Sequence, residues 1–266
     1  MTAYEVTDGD GFRLADHDPG DDSGVAGKAE GRAEVAELTA RLSDLQERLY
    51  ADGRRALLVV LQGMDTSGKG GAIRKAFEGL DPMGVHVATF KAPTDDELAH
   101  DFLWRVHPHV PARGRIAIFD RSHYEDVLIV RVRGLVPEER WRARYGAIRD
   151  FERTLVDEGT VVRKFFLHIS REEQAERLRA RLGDPTKRWK FRLSDLAERK
   201  HWDDYQAAYE EAVRRTATPD APWIVVPADK KWHRDLVICR TIVATLESLD
   251  MRYPEPEEDL SGVVVD

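Results

Sequence analysis

The sequence predicts an α/β domain built on a parallel sheet of about five strands with helices on both faces. Two observations carry this. Five short apolar runs alternate with helical patterns along the chain, and such alternation builds βαβ units whose sheet is buried on both sides. The first run also ends in a glycine-rich turn just before a helix start, the kind of sheet edge at which α/β folds meet their ligands.

Each element follows from its pattern. Residues 1–31 are rich in Gly and Asp, lack periodicity, and read as an irregular acidic arm. From Glu34 to Tyr50, Val35, Leu38, Leu42, Leu45 and Leu49 fall at helical spacing. The predicted strands are Ala56–Gln62, Val85–Phe90, Ile116–Phe119, Val161–Ile169 and Trp223–Val226. Helical patterns occupy Lys69–Glu78, Asp95–Val106, Glu138–Val156, Arg171–Leu182, Ser194–Arg215 and Lys231–Leu249. No Gly/Pro/Ser-rich linker breaks the alternation, so 32–250 reads as one domain and 251–266 as an acidic C-terminal tail.

Composition narrows the class. The net charge of −8 is misleading as a whole. Residues 1–31 hold eight acids against two bases, and 247–266 hold seven against one, so 32–246 carries +4. Within it, 163–200 has twelve Lys/Arg against six Asp/Glu. A basic region inside an acidic protein focuses field on an anionic ligand. The single cysteine, Cys239, excludes an internal disulfide and a cysteine-built zinc site. No apolar run approaches the roughly 20 residues that span a bilayer, and the polar N-terminus does not read as a signal peptide. A cytoplasmic protein without membrane or nucleic-acid partners is expected.

Leu57–Gln62 runs directly into Gly63-Met64-Asp65-Thr66-Ser67-Gly68-Lys69-Gly70-Gly71, a G-x-x-x-x-G-K phosphate loop. In such a loop Gly63, Gly68 and Gly70 let backbone N–H groups curl around phosphate oxygens, and the following helix adds its positive end. Lys69 reaches the transferring phosphoryl. Gly70 stands where P-loop enzymes usually place the Ser or Thr that holds Mg²⁺. A carboxylate inside the loop, Asp65, is repelled by phosphates unless a cation lies between them, so Asp65 is the first expected metal ligand.

The third apolar run ends in Asp120-Arg121. An apolar strand ending in Asp is the Walker B arrangement, which delivers a second metal ligand, Asp120, beside the phosphate loop. Arg121 is placed to clamp a phosphate. Asp65, Lys69, Asp120 and Arg121 form the expected catalytic set. Lys91, His123, Tyr124 and Glu125 are the expected nucleotide contacts, although a lone His here is more often structural. Leu182 to Arg192 is too dense in cations for a plain loop and reads as a helical lid, extending over 181–215, that supplies positive charge and excludes water. Arg181, Lys187 and Lys190 are its expected phosphate contacts. Lys75, Arg131 and Arg133, with Lys187 and Lys190, are candidates for a track along a polyanion.

Together these stretches resemble the family-2 polyphosphate kinases. The matching runs are LQGMDTSGKGG (61–71), FKAPT (90–94), DFLWRVH (101–107), FDRSHYEDVLIVRV (119–132), FFLHISREEQAERLRARLGDPTKRWKF (165–191), HWDDYQAAYEEAV (201–213) and APWIVVPADKKWHR (221–234). The resemblance implies a P-loop kinase-like sheet and phosphate transfer between inorganic polyphosphate and AMP or ADP. It implies Mg²⁺, or Mn²⁺ in its place, on Asp65 and Asp120, and a homo-oligomer, dimer or tetramer. The HYED run, VPEERW and the DPTKRWKF lid resemble the subgroup that accepts both AMP and ADP; guanine nucleotides are a further class of acceptor. In many relatives Asp follows the loop lysine and Thr stands at the position of Ala72, so the resemblance carries no metal or phosphate contact to Gly70 or Ala72 by itself. The alternative is an ATP-dependent nucleoside monophosphate kinase, which shares the loop, the Asp-Arg step and the lid but needs a donor-side adenine pocket, for which the sequence carries no separate signal.

Overall fold

The computed structural model describes residues 4–261 and 263–265; residues 1–3 of the arm and 262 and 266 of the tail lie outside it. In chain order the strands are β1 (Glu5–Val6), β2 (Ala56–Gln62), β3 (Val85–Thr89), β4 (Ile116–Asp120), β5 (Thr160–His168) and β6 (Trp223–Pro227). The helices are α1 (Lys28–Asp52), α2 (Lys69–Ala76), α3 (Asp95–Ala99), α4 (Ile129–Val132), α5 (Glu138–Asp157), α6 (Arg171–Gly183), α7 (Leu193–Arg199), α8 (Trp202–Thr216) and α9 (Lys231–Glu247). The strands form one sheet in the order β1-β6-β5-β2-β4-β3, parallel except for β1.

Every residue of β2 and of β6 is buried, as expected of strands covered on both faces. One helical layer contains α1, α2 and α9, and another contains α4, α5 and α8. The central strand β2 has β4 on one side and β5 on the other. Its C-terminal end is therefore a switch point, where the outgoing connections diverge and leave a crevice.

The structure departs from the sequence reading in four places. The arm is not irregular throughout. Glu5 and Val6 pair antiparallel with Ile224 and Trp223, and Phe12 and Leu14 are buried in the core. A two-residue strand is too short to show alternation. The predicted helix Asp95–Val106 stops at Ala99, because Asp101 Oδ1 accepts the N–H groups of Leu103 (2.9 Å) and Trp104 (3.1 Å) and turns the chain. A short helix, α4, follows the Asp-Arg step unannounced. The pattern Ser194–Arg215 splits in two: α7 leaves Leu193 and Leu196 exposed, whereas α8 buries Trp202, Tyr205, Tyr209 and Val213. Of the expected lid, only the stretch from Leu182 to Lys200 is free of the core.

Candidate functional site

The loop leaving β2 is shaped by two glycines. Gly63 has φ 153°, and a Cβ there would come within 2.9 Å of the Leu167 carbonyl oxygen. Gly68 has φ 102°, and a Cβ there would strike the Arg234 guanidinium. Both conditions select glycine. Gly70 is different: the nearest heavy atom to a Cβ there is Arg74 Nη1 at 3.9 Å, so packing does not exclude a side chain.

Guanidinium groups grip the loop from outside. Arg177 Nη1 donates to the carbonyls of Thr66 (3.0 Å) and Ser67 (2.8 Å), and its Nη2 donates to those of Ala228 (2.5 Å) and Asp229 (3.0 Å). Arg234 Nη1 donates to Gly68 O (3.2 Å), and Gln174 Nε2 to Asp65 O (3.0 Å). The N–H groups of Asp65, Thr66 and Gly68 donate to no backbone carbonyl among the described residues. Thr66 Oγ1 and Ser67 Oγ are buried without any partner. Buried donors without acceptors are costly, and phosphate oxygens are acceptors only. The loop is thus built to receive an anion.

Lys69 opens α2 and folds back beneath the loop, its Nζ donating to Gly63 O (2.6 Å) and Met64 O (3.3 Å). Burial, then the Arg121 charge, hold its pKa below the ordinary lysine value, against the pull of Asp65, Asp120 and Glu125. Asp120 ends β4 directly opposite Leu61 of β2, which sets it beside the loop. Arg121 follows with φ 64°. A left-handed arginine is strained, and such strain gathers at functional sites. Here it is held by the Arg121 N–H bond to Leu61 O (3.1 Å) and by the ion pair from Nη2 to Asp65 Oδ1 (2.7 Å). Burial works against the guanidinium charge, but Glu125 and Asp65 outweigh it and hold its pKa above the ordinary value.

Glu125 completes the group. Burial raises its pKa, opposed by Arg121 and Lys69. Turned so that Nε2 donates to Glu125 Oε1 (3.1 Å) and its oxygen accepts from Ser122 Oγ (3.0 Å), the buried Gln62 amide ties β2 to this turn. Opposite stand α7 and α8. Burial, then Asp65, raise the Asp195 pKa. Burial, then Glu125, raise that of Tyr209, which stacks on Phe166 at 4.3 Å. Among the described residues no group of three or more His, Cys, Asp or Glu side chains is arranged to hold a metal by itself.

Asp65, Lys69, Asp120, Arg121 and Glu125 are therefore brought together, with Gly63, Gly68 and Gly70 around them. Other expected residues are not. His123 and Tyr124 turn into the core, 1% and 0% exposed. His123 Nε2 lies 3.3 Å from Glu152 Oε1, and Tyr124 donates to the same oxygen at 2.8 Å. Lys164 Nζ bonds Glu152 Oε2 (2.6 Å), Tyr124 Oη (3.1 Å) and Thr216 O (2.7 Å). These two rings brace the turn from inside the core, where burial leaves their side chains no open face for a ligand. Lys91 is exposed, and its carbonyl accepts from the buried Arg105 (3.0 Å). Lys75 is exposed and paired with Glu78 (2.6 Å). Arg131 is paired with Glu211 (2.7 Å), and Arg133 meets Glu198 (3.4 Å). Lys75 is on α2, in the layer of α9, whereas Arg131 is on α4, in the layer of α5 and α8, with Arg133 just after it.

In the lid stretch, Arg181 lies 3.8 Å from Asp195, Lys187 pairs with Asp184 (2.5 Å), and Lys190 sits 4.9 Å over the Trp189 ring. The pKa of Lys231 is held down by burial and then by Arg177, with Arg234 and Lys187 adding to it against the pull of Glu173. The sequence reading assigned no site role to Arg177, Lys231 or Arg234. The signal for the last two was available: cations opening a helix directly after the last strand, at the same sheet edge as the loop.

Known proteins share this sequence and fold. Residues 26–254 match the profile of the family described as Polyphosphate kinase 2 (PPK2). The chain is 52% identical, over the whole of both chains, to an AMP/ADP-polyphosphate phosphotransferase from Meiothermus ruber. It is 47% identical to an ADP-polyphosphate phosphotransferase from Rhodopseudomonas palustris, covering 81% of this chain and 78% of that one. The crystal structure of polyphosphate kinase 2 from Arthrobacter aurescens superposes with a TM-score of 0.93 at 47% identity, covering 96% of this chain and 92% of that one.

Proposed function

The chain belongs to the polyphosphate kinase 2 family, and from that premise we propose that it moves phosphate between inorganic polyphosphate and AMP or ADP at the loop 63–71. The observation that carries the site is the set of unpartnered donors in that loop, Thr66 Oγ1 and Ser67 Oγ above all, with Lys69 and Arg121 beside them.

In the forward direction an oxygen of the acceptor's terminal phosphate attacks the end phosphorus of the polymer. The new P–O bond forms as the anhydride P–O bond breaks, and the polymer leaves one unit shorter. The attacking oxygen is already ionised, so no general base is required. Catalysis is positioning and charge stabilisation. Loop N–H groups and hydroxyls bind the phosphoryl. Lys69 and Arg121 exchange their present partners, the Gly63 carbonyl and Asp65, for phosphate oxygens.

Asp65 and Asp120 supply hard oxygen donors on either side of this position. One or two carboxylates, completed by phosphates and water, suit Mg²⁺, and Mn²⁺ in its place. Such an ion neutralises phosphate charge when bound. Lys187 and Arg181 of the stretch 181–200, with Lys231, extend positive charge from the loop along the donor, and Tyr209 and Glu125 line the acceptor side. The test is direct: protein, Mg²⁺, polyphosphate and AMP, with no ATP, yield ADP and then ATP by chromatography. Transfer that occurs only with ATP as donor, or none at all, overturns the reading.

A further inference from the structure

A cleft away from the loop lies between α5 and α8. It encloses about 580 Å³, lined by Arg142, Tyr145 and Arg149 of α5 and by Glu211, Arg214 and Arg215 of α8. A neighbouring hollow of about 240 Å³ shares Glu211, Arg214 and Arg215 and adds Arg131 of α4.

Its donors and acceptors do not balance. The Glu211 carboxylate is shared by Arg131 (2.7 Å), Arg142 (3.0 Å) and Arg215 (3.6 Å). Among the described residues Arg149 and Arg214 have no ion-pair partner within 4.0 Å. Asp10 also lines the cleft and Glu210 the hollow, and Glu210 already accepts the Leu14 N–H (2.8 Å). Tyr145 is 4% exposed, and its hydroxyl has no hydrogen-bond partner among the described residues. Guanidinium groups only donate, so the surplus calls for a ligand rich in acceptors and negative charge. Arginine forks fit phosphate oxygens in particular.

The cleft is also joined to α7. Two residues from Arg131, Arg133 reaches Glu198 (3.4 Å) and His201 Nε2 (3.1 Å) at the end of α7. The same α7 holds Asp195, which lies 3.8 Å from Arg181 of α6. Arg131 and Arg133 thus carry the arginine cluster of the cleft along α4 to α7.

We propose that this cleft is a second, non-catalytic polyphosphate site, holding a remote stretch of the polymer while its end lies at the loop. The proposal rests on the polyphosphate-donor reading. A tethered second contact raises the effective concentration of the chain end without any new contact at the reacting phosphate.

The test replaces three cleft arginines together, Arg149→Gln, Arg214→Gln and Arg215→Gln. The KM for long-chain polyphosphate rises about tenfold. The kcat and the KM for a polyphosphate of a few units stay unchanged. Binding of labelled long-chain polyphosphate, followed by anisotropy without acceptor, weakens, and its log–log salt slope falls by about two to three. Unchanged long-chain binding overturns the proposal. So do equal losses for long and short donors, or a changed molecular mass by light scattering, which would make the cleft a contact between copies of this chain. Were the wild type to bind long-chain polyphosphate through the cleft yet transfer nothing from it to AMP, the donor reading alone would fall.

Discussion

Lys69 is held in a position it must leave to work. Its ammonium is buried and bonded to two carbonyls of its own loop, which keeps the charge in place before any phosphate arrives. Asp120 sits across the β2–β4 register from the same loop. Both act on charge that shifts during transfer, where one such interaction is worth about 3 kcal/mol or more. Lys69→Ala and Asp120→Asn should each lower kcat by about two orders of magnitude or more while circular dichroism stays that of the parent. Single-turnover rates near the parent value in either variant would remove that residue from the chemistry. A second expectation concerns Lys164, fully buried against Glu152. Burial lowers the Lys164 pKa against the pull of Glu152. Burial pushes Glu152 up, but Lys164 and His123 bring it below the ordinary glutamate value. The two groups meet at 2.6 Å, with the Thr216 carbonyl as a further acceptor for Lys164 (2.7 Å), as an ion pair inside the core. Breaking a buried pair strands one ion, at a cost of about 3–5 kcal/mol, whereas removing both partners is far milder. Lys164→Met should therefore destabilise strongly, and adding Glu152→Gln should restore much of the stability in denaturant melts. Additive effects would mean that the two side chains act separately.

At the scale of elements, legibility followed the range of the interaction. The loop, the Asp-Arg step and the parallel strands are written in consecutive residues, so spacing alone located Asp65, Lys69, Asp120 and Arg121. The grip of Arg177 and Arg234 on the loop crosses 110 and 166 positions, and no local pattern records it. The same holds for His123 and Tyr124: their neighbours in sequence are site residues, but their partners Glu152 and Thr216 come from α5 and α8. The arm shows the cost of reading composition alone. Its acidic, aperiodic sequence reads as an irregular arm, yet Phe12 and Leu14 fill the core and Gly9 packs against the Arg214 backbone. Each buried side chain is worth about 1.5–3 kcal/mol. Deleting Thr2–Gly24 should thus destabilise by about 3 kcal/mol or more, seen as a lower melting temperature; an unchanged midpoint would return the arm to the surface. The arm also lies by His168, at the end of β5. Burial lowers the His168 pKa from 6.5 to about 4, against the upward pull of Asp229, of a hydrogen bond to the His17 backbone and of Asp18, while the His17 ring charge adds to the lowering. Between those values the unfolded chain binds the proton and the folded chain does not. Stability is therefore unaffected by this group above about pH 6.5 and falls as pH drops toward 4, by about 3 kcal/mol at most. His168→Gln should flatten the melting-temperature profile in that window and nowhere else.

The whole molecule separates its charges. Its acidic ends flank a body of +4 in sequence, and from the segment densest in cations, 163–200, Arg177 joins Arg234 on the loop carbonyls. The stretch 182–200 stands away from the core and exposes Trp189 (77%) and Leu193 (80%). A closing segment has that composition: apolar groups that gain burial, and cations that gain anionic partners. If Lys187 and Lys190 hold the donor next to the reacting phosphate, replacing both with Gln should raise the KM for polyphosphate of every length, because even a short donor passes this point. The salt slope of donor binding should also fall, by just under about one unit for each phosphate no longer neutralised. The AMP KM should move less, since AMP offers one phosphate group. The Asp184 partner of Lys187 gives a control: Asp184→Asn frees the ammonium without removing it, and should lower the donor KM or leave it unchanged. A lid that acts on the transferring phosphoryl alone behaves otherwise, with kcat falling at constant donor KM and constant salt slope. Steady-state kinetics with one short and one long donor, at three salt concentrations, separate these outcomes. They also separate the lid from the α5–α8 cleft, whose removal should be felt by long chains only.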